Sequence, residues 1–248
     1  MSISTQQELD GICAIGRIVG YTLKEMQNSV RPGMTTGELD DIGNEMLRDL
    51  GAAPAPRLVY NFPGATCISI NNEVAHGIPG RRVIREGDLV NIDVSAEKNG
   101  FFADNGGTVA VDVSDARLLR LCECSKSILD KAIAVAKTGI RVNQVGRTIE
   151  REARRNGFRV IENLCGHGVG RSLHEEPAEI ANYYDPAYRK TFTQGMVVAI
   201  ETFISTGAHY VVEKGDGWTY ITPDGSRVAQ YEHTIIVTDG EPIVVTAV

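Results

Sequence analysis

Asp93 and Asp104 flank an Asn99-Gly100 dipeptide, the strongest hairpin-turn signal in the chain. A two-residue turn there pairs Lys98 with Phe101, and so sets Ser95 opposite Asp104 and Asp93 opposite Gly106. Opposed residues share a face of a strand pair, as do alternate residues along one strand. Both acids therefore lie on one face as diagonal neighbours, roughly 7–8 Å apart at the backbone, while Ile92 and Val94 point to the other. A loop one residue longer or shorter would separate them. Two acids on one face of an apolar strand pair repel each other and resist burial. For this pair alone, a solvated sheet face is the simpler account.

The wider set favours a cage. Glu201 closes the apolar run Met196 to Ile200, and Glu232 precedes His233 within Val228 to Val237. His167 sits in Gly166-His167-Gly168-Val169-Gly170, whose small residues let a ligand approach the backbone. Two divalent cations would neutralise the four carboxylates of Asp93, Asp104, Glu201 and Glu232. A set with no thiolate and a single histidine suits Mn, Fe, Co or Zn with open positions better than a closed structural zinc. Two such ions can share one water, lower its pKa from ~15.7 towards ~7, and polarise a carbonyl. Hydrolysis of an amide is the natural use of that chemistry.

Positioning these groups requires strands and helices in alternation. Thr5-Gln6-Gln7-Glu8 reads as a capping box, and apolar residues from Leu9 to Leu23 recur at helical spacing. That helix should stop before Pro32-Gly33. A second runs from about Thr36 to Gly51, a third from about Asp115 to Lys137, and a fourth from about Val142 to Asn156, capped by Gly157. Pro54, Pro56 and Pro63-Gly64 mark an irregular stretch. Cys67 to Ile70, Leu89 to Val94 and Phe101 to Val111 alternate like strands. The second half resembles the first: Glu86-Gly87-Asp88-Leu89-Val90-Asn91-Ile92-Asp93 is echoed by Gln194-Gly195-Met196-Val197-Val198-Ala199-Ile200-Glu201. A duplicated unit would set Asp93 and Glu201 facing each other across a pseudo-twofold axis.

The chain's 248 residues, 42% hydrophobic and 23% charged, suit one well-packed domain. A net charge of -7 with no basic run disfavours nucleic acid. The N-terminal residues form no signal peptide, no stretch is apolar enough to span a membrane, and the five scattered cysteines form neither zinc-knuckle nor disulfide spacing. A reducing cytoplasm is the expected compartment.

Several segments carry a resemblance. Cys67-Ile68-Ser69-Ile70-Asn71, Val74-Ala75-His76-Gly77-Ile78-Pro79, Asn91-Ile92-Asp93-Val94, Ala103-Asp104 and Gly166 to Gly170 resemble motifs of type I methionine aminopeptidases, in family order. So do Leu173-His174-Glu175-Glu176-Pro177, Ala199-Ile200-Glu201 and Gln230-Tyr231-Glu232-His233-Thr234. The resemblance implies an α/β (α+β) fold of the duplicated pita-bread (creatinase/aminopeptidase) type, an antiparallel sheet with helices on its outer face. It implies one catalytic domain of two pseudo-symmetric halves, about 1–112 and 113–248. It implies removal of N-terminal methionine from nascent proteins and peptides, with a small second residue preferred. Asp93, Asp104, His167, Glu201 and Glu232 become ligands of two divalent ions (Co, Mn, Fe or Zn), with Asp104 and Glu232 as bridges. His76 and His174 hold the scissile peptide and its oxyanion, and Glu201 joins them as a catalytic group. Val59, Phe62, Cys67, Leu173 and Trp218 become the walls of a methionine pocket. The partners implied are a peptide or nascent-protein N-terminus and the ribosome, with no membrane and no specific nucleic acid, and the expected state is a monomer.

Three positions depart from the pattern. Asn105 stands where many relatives carry threonine, Thr202 where proline is usual, and Leu173 where some have an aromatic ring. They lead us to expect a somewhat wider first-residue slot. A proline-specific peptidase of the same fold is the nearest rival, but it usually carries an additional N-terminal domain. A non-enzymatic peptide- or RNA-binding relative predicts missing ligands, and none is missing.

Overall fold

Reciprocal capping opens the first helix: the Thr5 hydroxyl accepts from the Glu8 amide, and the Glu8 carboxylate accepts from the Thr5 amide. In the computed structural model, which describes residues 1–248, helix α1 (Gln6–Ser29) then buries Ile12, Ile15, Val19, Leu23 and Met26 along one stripe. Thr35 and Glu38 repeat the device at the start of α2 (Thr36–Asp49). The stretch between Pro54 and Pro63 is less irregular than expected, for it holds a short helix, α3 (Ala55–Tyr60). Pro56 belongs to its first turn, where a missing N–H is harmless and the fixed φ is already helical. Asn61, left-handed at φ 55°, ends it. Helices α4 (Ala116–Val135) and α5 (Asn143–Arg155) form the second pair, close to their expected limits.

The strands in chain order are β1 (Ala53–Pro54), β2 (Cys67–Ile70), β3 (Glu73–Ala75), β4 (Leu89–Lys98), β5 (Phe101–Ala110), β6 (Arg159–Val160) and β7 (Cys165–Gly168). They continue with β8 (Glu175–Ala181), β9 (Val197–Ser205), β10 (Val212–Glu213), β11 (Tyr220–Ile221), β12 (Val228–Ile236) and β13 (Ile243–Val244). Ten form one antiparallel sheet in the order β1-β4-β5-β12-β9-β7-β8, with β2 added to β4, β6 to β9 and β13 to β12. Strands β3, β11 and β10 make a small second sheet. The register of β4 and β5 is the one the Asn99-Gly100 turn dictates: Lys98 opposite Phe101, Ser95 opposite Asp104, Asp93 opposite Gly106.

Helix α1 packs on β4 and β5, and α4 on β9 and β12, so each half carries its own helix against its own long strands. Ile92 and Val94 join Ile12, Ile15 and Val19 in one apolar core, while Ile200 and Ile235 join Ile128 and Leu129 in another. Their neighbours Asp93 and Glu201, one residue along the strand, point to the opposite face. This is the α/β pita-bread arrangement, with the helices outside and the acids within. No helix is long and apolar enough to cross a membrane.

Asp40 fixes the loop that leads into β2. Its carboxylate is 4% exposed and accepts from the Ala65 amide at 3.0 Å, the Thr66 amide at 2.8 Å and the Thr66 hydroxyl at 2.8 Å. Replacing Asp40 by alanine orphans these buried donors and is expected to destabilise the protein by about 2–4 kcal/mol. Urea unfolding should show an earlier midpoint; an unchanged midpoint would mean that the loop holds itself.

Candidate metal centre

Sheet pairing gathers the acids. Asp93 on β4 lies opposite Cys67 on β2 and Gly106 on β5, and Glu201 on β9 lies directly opposite Glu232 on β12. Strands β5 and β12 meet at Gly107 and Tyr231, which brings Gly106 alongside Glu232. A Cβ at 106 would come within 2.5 Å of the Gln230 amide oxygen, so glycine there leaves room for the Gln230 side chain. Asp104 is locked to β12 as well: its amide donates to the Thr234 hydroxyl, which donates back to the Asp104 carbonyl. Asp93, Asp104, His167, Glu201 and Glu232 all line one cavity of about 450 Å³.

No lysine or arginine lines that cavity. Burial, with repulsion among the carboxylates, raises Asp104, Glu201 and Glu232 well above the usual range. Burial lifts Asp93 to about 6, opposed by its hydrogen bond with Asp104. Asp104 Oδ1 and Glu232 Oε1 are buried without any hydrogen-bond partner. Donor atoms of Asp104, His167 and Glu232 lie within 4.8 Å of one another. His167 Nδ1 donates to the Gly168 carbonyl at 2.9 Å, which leaves the Nε2 lone pair free, 3.8 Å from Asp104 Oδ2. Burial first, then His174, lowers this imidazole to about 3, so it stays neutral and able to ligate. Orphaned anionic oxygens beside an available imidazole fit divalent cations, which would replace the protons such a cluster otherwise retains.

Sequence reasoning missed Gln230, although it lies two residues before Glu232 and so on the same face. Its Nε2 donates to Glu232 Oε2 at 3.0 Å while its Oε1 accepts from Asn91 Nδ2 at 2.7 Å. The neutral amide thus orients a carboxylate without discharging it.

Histidines stand in the wall above the acids. His76 adopts a left-handed conformation, φ 54°, and Gly77 follows it so closely packed that a Cβ would lie 2.2 Å from the Ile68 carbonyl oxygen. His174 lies with its ring centroid 4.1 Å from that of His167. The surrounding protein lowers both wall histidines, His76 to about 4 through burial and then His174, so each is a neutral hydrogen-bonding group near pH 7. His233 points away from the acids, to the Thr246 hydroxyl at 2.8 Å, and His209 is exposed on a loop beside Tyr210.

Phe62, Cys67, Leu173 and Trp218 line the cavity, Phe62 and Trp218 edge to face at 5.1 Å. Burial and the nearby Asp93 push the Cys67 thiol well above its ordinary value, which suits a wall and not a nucleophile. Val59 is a correction: it is 43% exposed and does not line the cavity. Pro56 and Tyr60, four residues apart on α3, share the inward face, and Val59 is rotated away from it. Thr202 and Asn105 do not line the cavity either. Strand alternation turns Thr202 outward, where its hydroxyl meets Ser125 of α4 at 2.9 Å. Of the three departures, only Leu173 can shape the slot.

The description Metallopeptidase family M24 matches residues 10–239. Methionine aminopeptidase 2 of Bacillus subtilis (strain 168) is 51% identical over 247 residues, covering 99% of this chain and 99% of its own length. The solved methionine aminopeptidase from Thermotoga maritima superposes with a TM-score of 0.96 at 38% identity, covering 100% of both chains. A prolidase from Pyrococcus furiosus shares the fold, with a TM-score of 0.79 at 22% identity, and this chain covers 65% of that one.

Substituting Glu232 by glutamine removes one charge from the buried cluster, so the metal-free protein should melt at a higher temperature than the parent. The gain should be larger at a pH of about 7.5 than at about 4, because a carboxyl raised in the fold is still protonated there at low pH and imposes no penalty. Added divalent metal should then stabilise the parent and not the variant. A variant that melts lower at both pH values, or gains equally from metal, would show that the cluster is not a cation site.

Proposed function

The chain belongs to metallopeptidase family M24, and on that premise we propose how its site works and which residues carry each role. It is a metal-dependent hydrolase that removes the N-terminal methionine from proteins and peptides. The observation that carries the proposed mechanism is the buried carboxylate cluster, with two unpartnered oxygens, at the floor of an apolar-walled cavity.

Asp93, Asp104, His167, Glu201 and Glu232 would hold two divalent ions. When bound, the ions (Co, Mn, Fe or Zn) supply Lewis acidity that makes water nucleophilic at neutral pH and polarises the scissile carbonyl. Glu201 carries the proton, taking it on a carboxylate oxygen from the attacking water and passing it to the departing amine nitrogen. His174 donates a hydrogen bond to the developing oxyanion, and His76 holds the peptide beside it. Phe62, Cys67, Leu173 and Trp218 enclose the methionine side chain, whose unbranched, polarizable thioether suits a narrow apolar slot. The loop bearing His76 crowds the next position and favours a small second residue. The motif set supports reading the chain as a type I enzyme, one catalytic domain of two halves, about 1–112 and 113–248. It acts as a cytoplasmic monomer on nascent N-termini at the ribosome.

The purified protein should lose turnover of Met-Ala-Ser on exhaustive chelation and regain it with added divalent metal. Full turnover after chelation would sink the metal reading. Across peptides varied at the first position, norleucine should be accepted and leucine tolerated slightly, since one methylene is worth only ~1–3 kcal/mol in an apolar pocket. Charged first residues should fail. Leu173→Phe should lower kcat/KM for leucine more than for methionine. A requirement for proline in second place would instead move the enzyme to the proline-peptidase branch.

A further inference from the structure

One polar contact in the cavity wall has no part in the mechanism above. The Tyr60 hydroxyl lies 2.6 Å from His174 Nδ1, and the two rings are tilted by 57° with centroids 5.7 Å apart. A neutral imidazole carries its proton on one nitrogen only, and the partner of the other nitrogen decides which. Phenol is a stronger acid than imidazole, and its oxygen is a weaker acceptor than an imidazole nitrogen. A phenol–imidazole pair therefore settles as O–H···N. Partial burial, with Asp104 adding, raises the half-exposed Tyr60 phenol above its ordinary value, so it keeps its proton at neutral pH.

We infer that Tyr60 donates to His174 Nδ1 and thereby holds the imidazole proton on Nε2, which makes Tyr60 the positioning residue for the oxyanion donor. The inference rests on the role given to His174 above. Its logic mirrors that of the adjacent ring. The Gly168 carbonyl can only accept, so it puts the His167 proton on Nδ1 and frees Nε2 for a cation. The Tyr60 hydroxyl does the reverse for His174. Two imidazoles with centroids 4.1 Å apart are thus set as opposite tautomers, one a ligand and one a donor. A protonated Nε2 also keeps His174 from competing with His167 for the ions. Tyr60 can hold this post because α3 presents it on the same face as Pro56, and Asn61 turns the chain away immediately after it.

Tyr60→Phe removes the donor and keeps the ring. Three measurements on the metal-loaded enzyme test the inference: kcat and KM on Met-Ala-Ser, melting temperature, and, with zinc bound, the ¹⁵N spectrum of labelled histidines. Tyr60→Phe should lower kcat about tenfold with KM and melting temperature little changed. His174→Ala should lower kcat by about 10²–10³. The double variant should be no slower than His174→Ala alone. In the parent, His174 should show its proton on Nε2, and in Tyr60→Phe a mixture of tautomers. If His174→Ala is crippled while Tyr60→Phe keeps parental kcat and tautomer, the Tyr60 assignment falls and the His174 role stands. A parent spectrum with the proton on Nδ1 also overturns it. Parental kcat in His174→Ala removes both.

Discussion

Four carboxylates share one face of the central sheet, and no lysine or arginine lines the cavity they share. Their mutual repulsion, sharpened by burial, is the constraint around which the rest of the protein is arranged. The fold resists it with rigid elements. Ten strands pair in one sheet, two apolar cores fill the space behind it, and Thr234 ties the Asp104 backbone to the neighbouring strand. The buried oxygens of Asp104 and Glu232 that find no hydrogen-bond donor are the groups a divalent cation would compensate.

Floor and walls are built differently. The floor is sheet, where pairing sets the acids within the tolerance of a ladder. The walls are loops and short elements, held by side chains: Asp40 at the approach to β2, Asp216 under the Trp218 and Thr219 amides, Glu73 between Arg82 and Lys214. A rigid floor preserves donor geometry, while loops can differ in shape without disturbing it. The left-handed backbone of His76 fits this division, since strain is tolerated where neighbouring packing over-determines it. Leu173 sits in such a wall loop, so its side chain can vary without moving the acids of the floor.

Much of the architecture was legible residue by residue. Hairpin register follows from parity: a two-residue turn leaves Asp93 and Asp104 on one face whatever surrounds them. Capping at Thr5 and the 3.6-residue recurrence of apolar side chains are equally local, as is the alternation that separates Glu232 from His233. The helix from Ala55 to Tyr60 was not legible, because prolines there read as breakers unless one knows that Pro56 falls in a first turn. The alternation that points Glu201 into the cavity turns Thr202 away from it, towards Ser125.

Sequence by itself determined that Asp93 and Asp104 share a face, because strand period and turn length are short-range properties of the chain. Only the tertiary structure decided that Glu201 meets Glu232, that the two halves join along β5 and β12, and that Tyr60 reaches His174 across 114 positions of sequence. Those contacts join segments far apart in sequence, so no local periodicity encodes them. They exist because two apolar cores and a shared sheet bury more surface together than either half could alone.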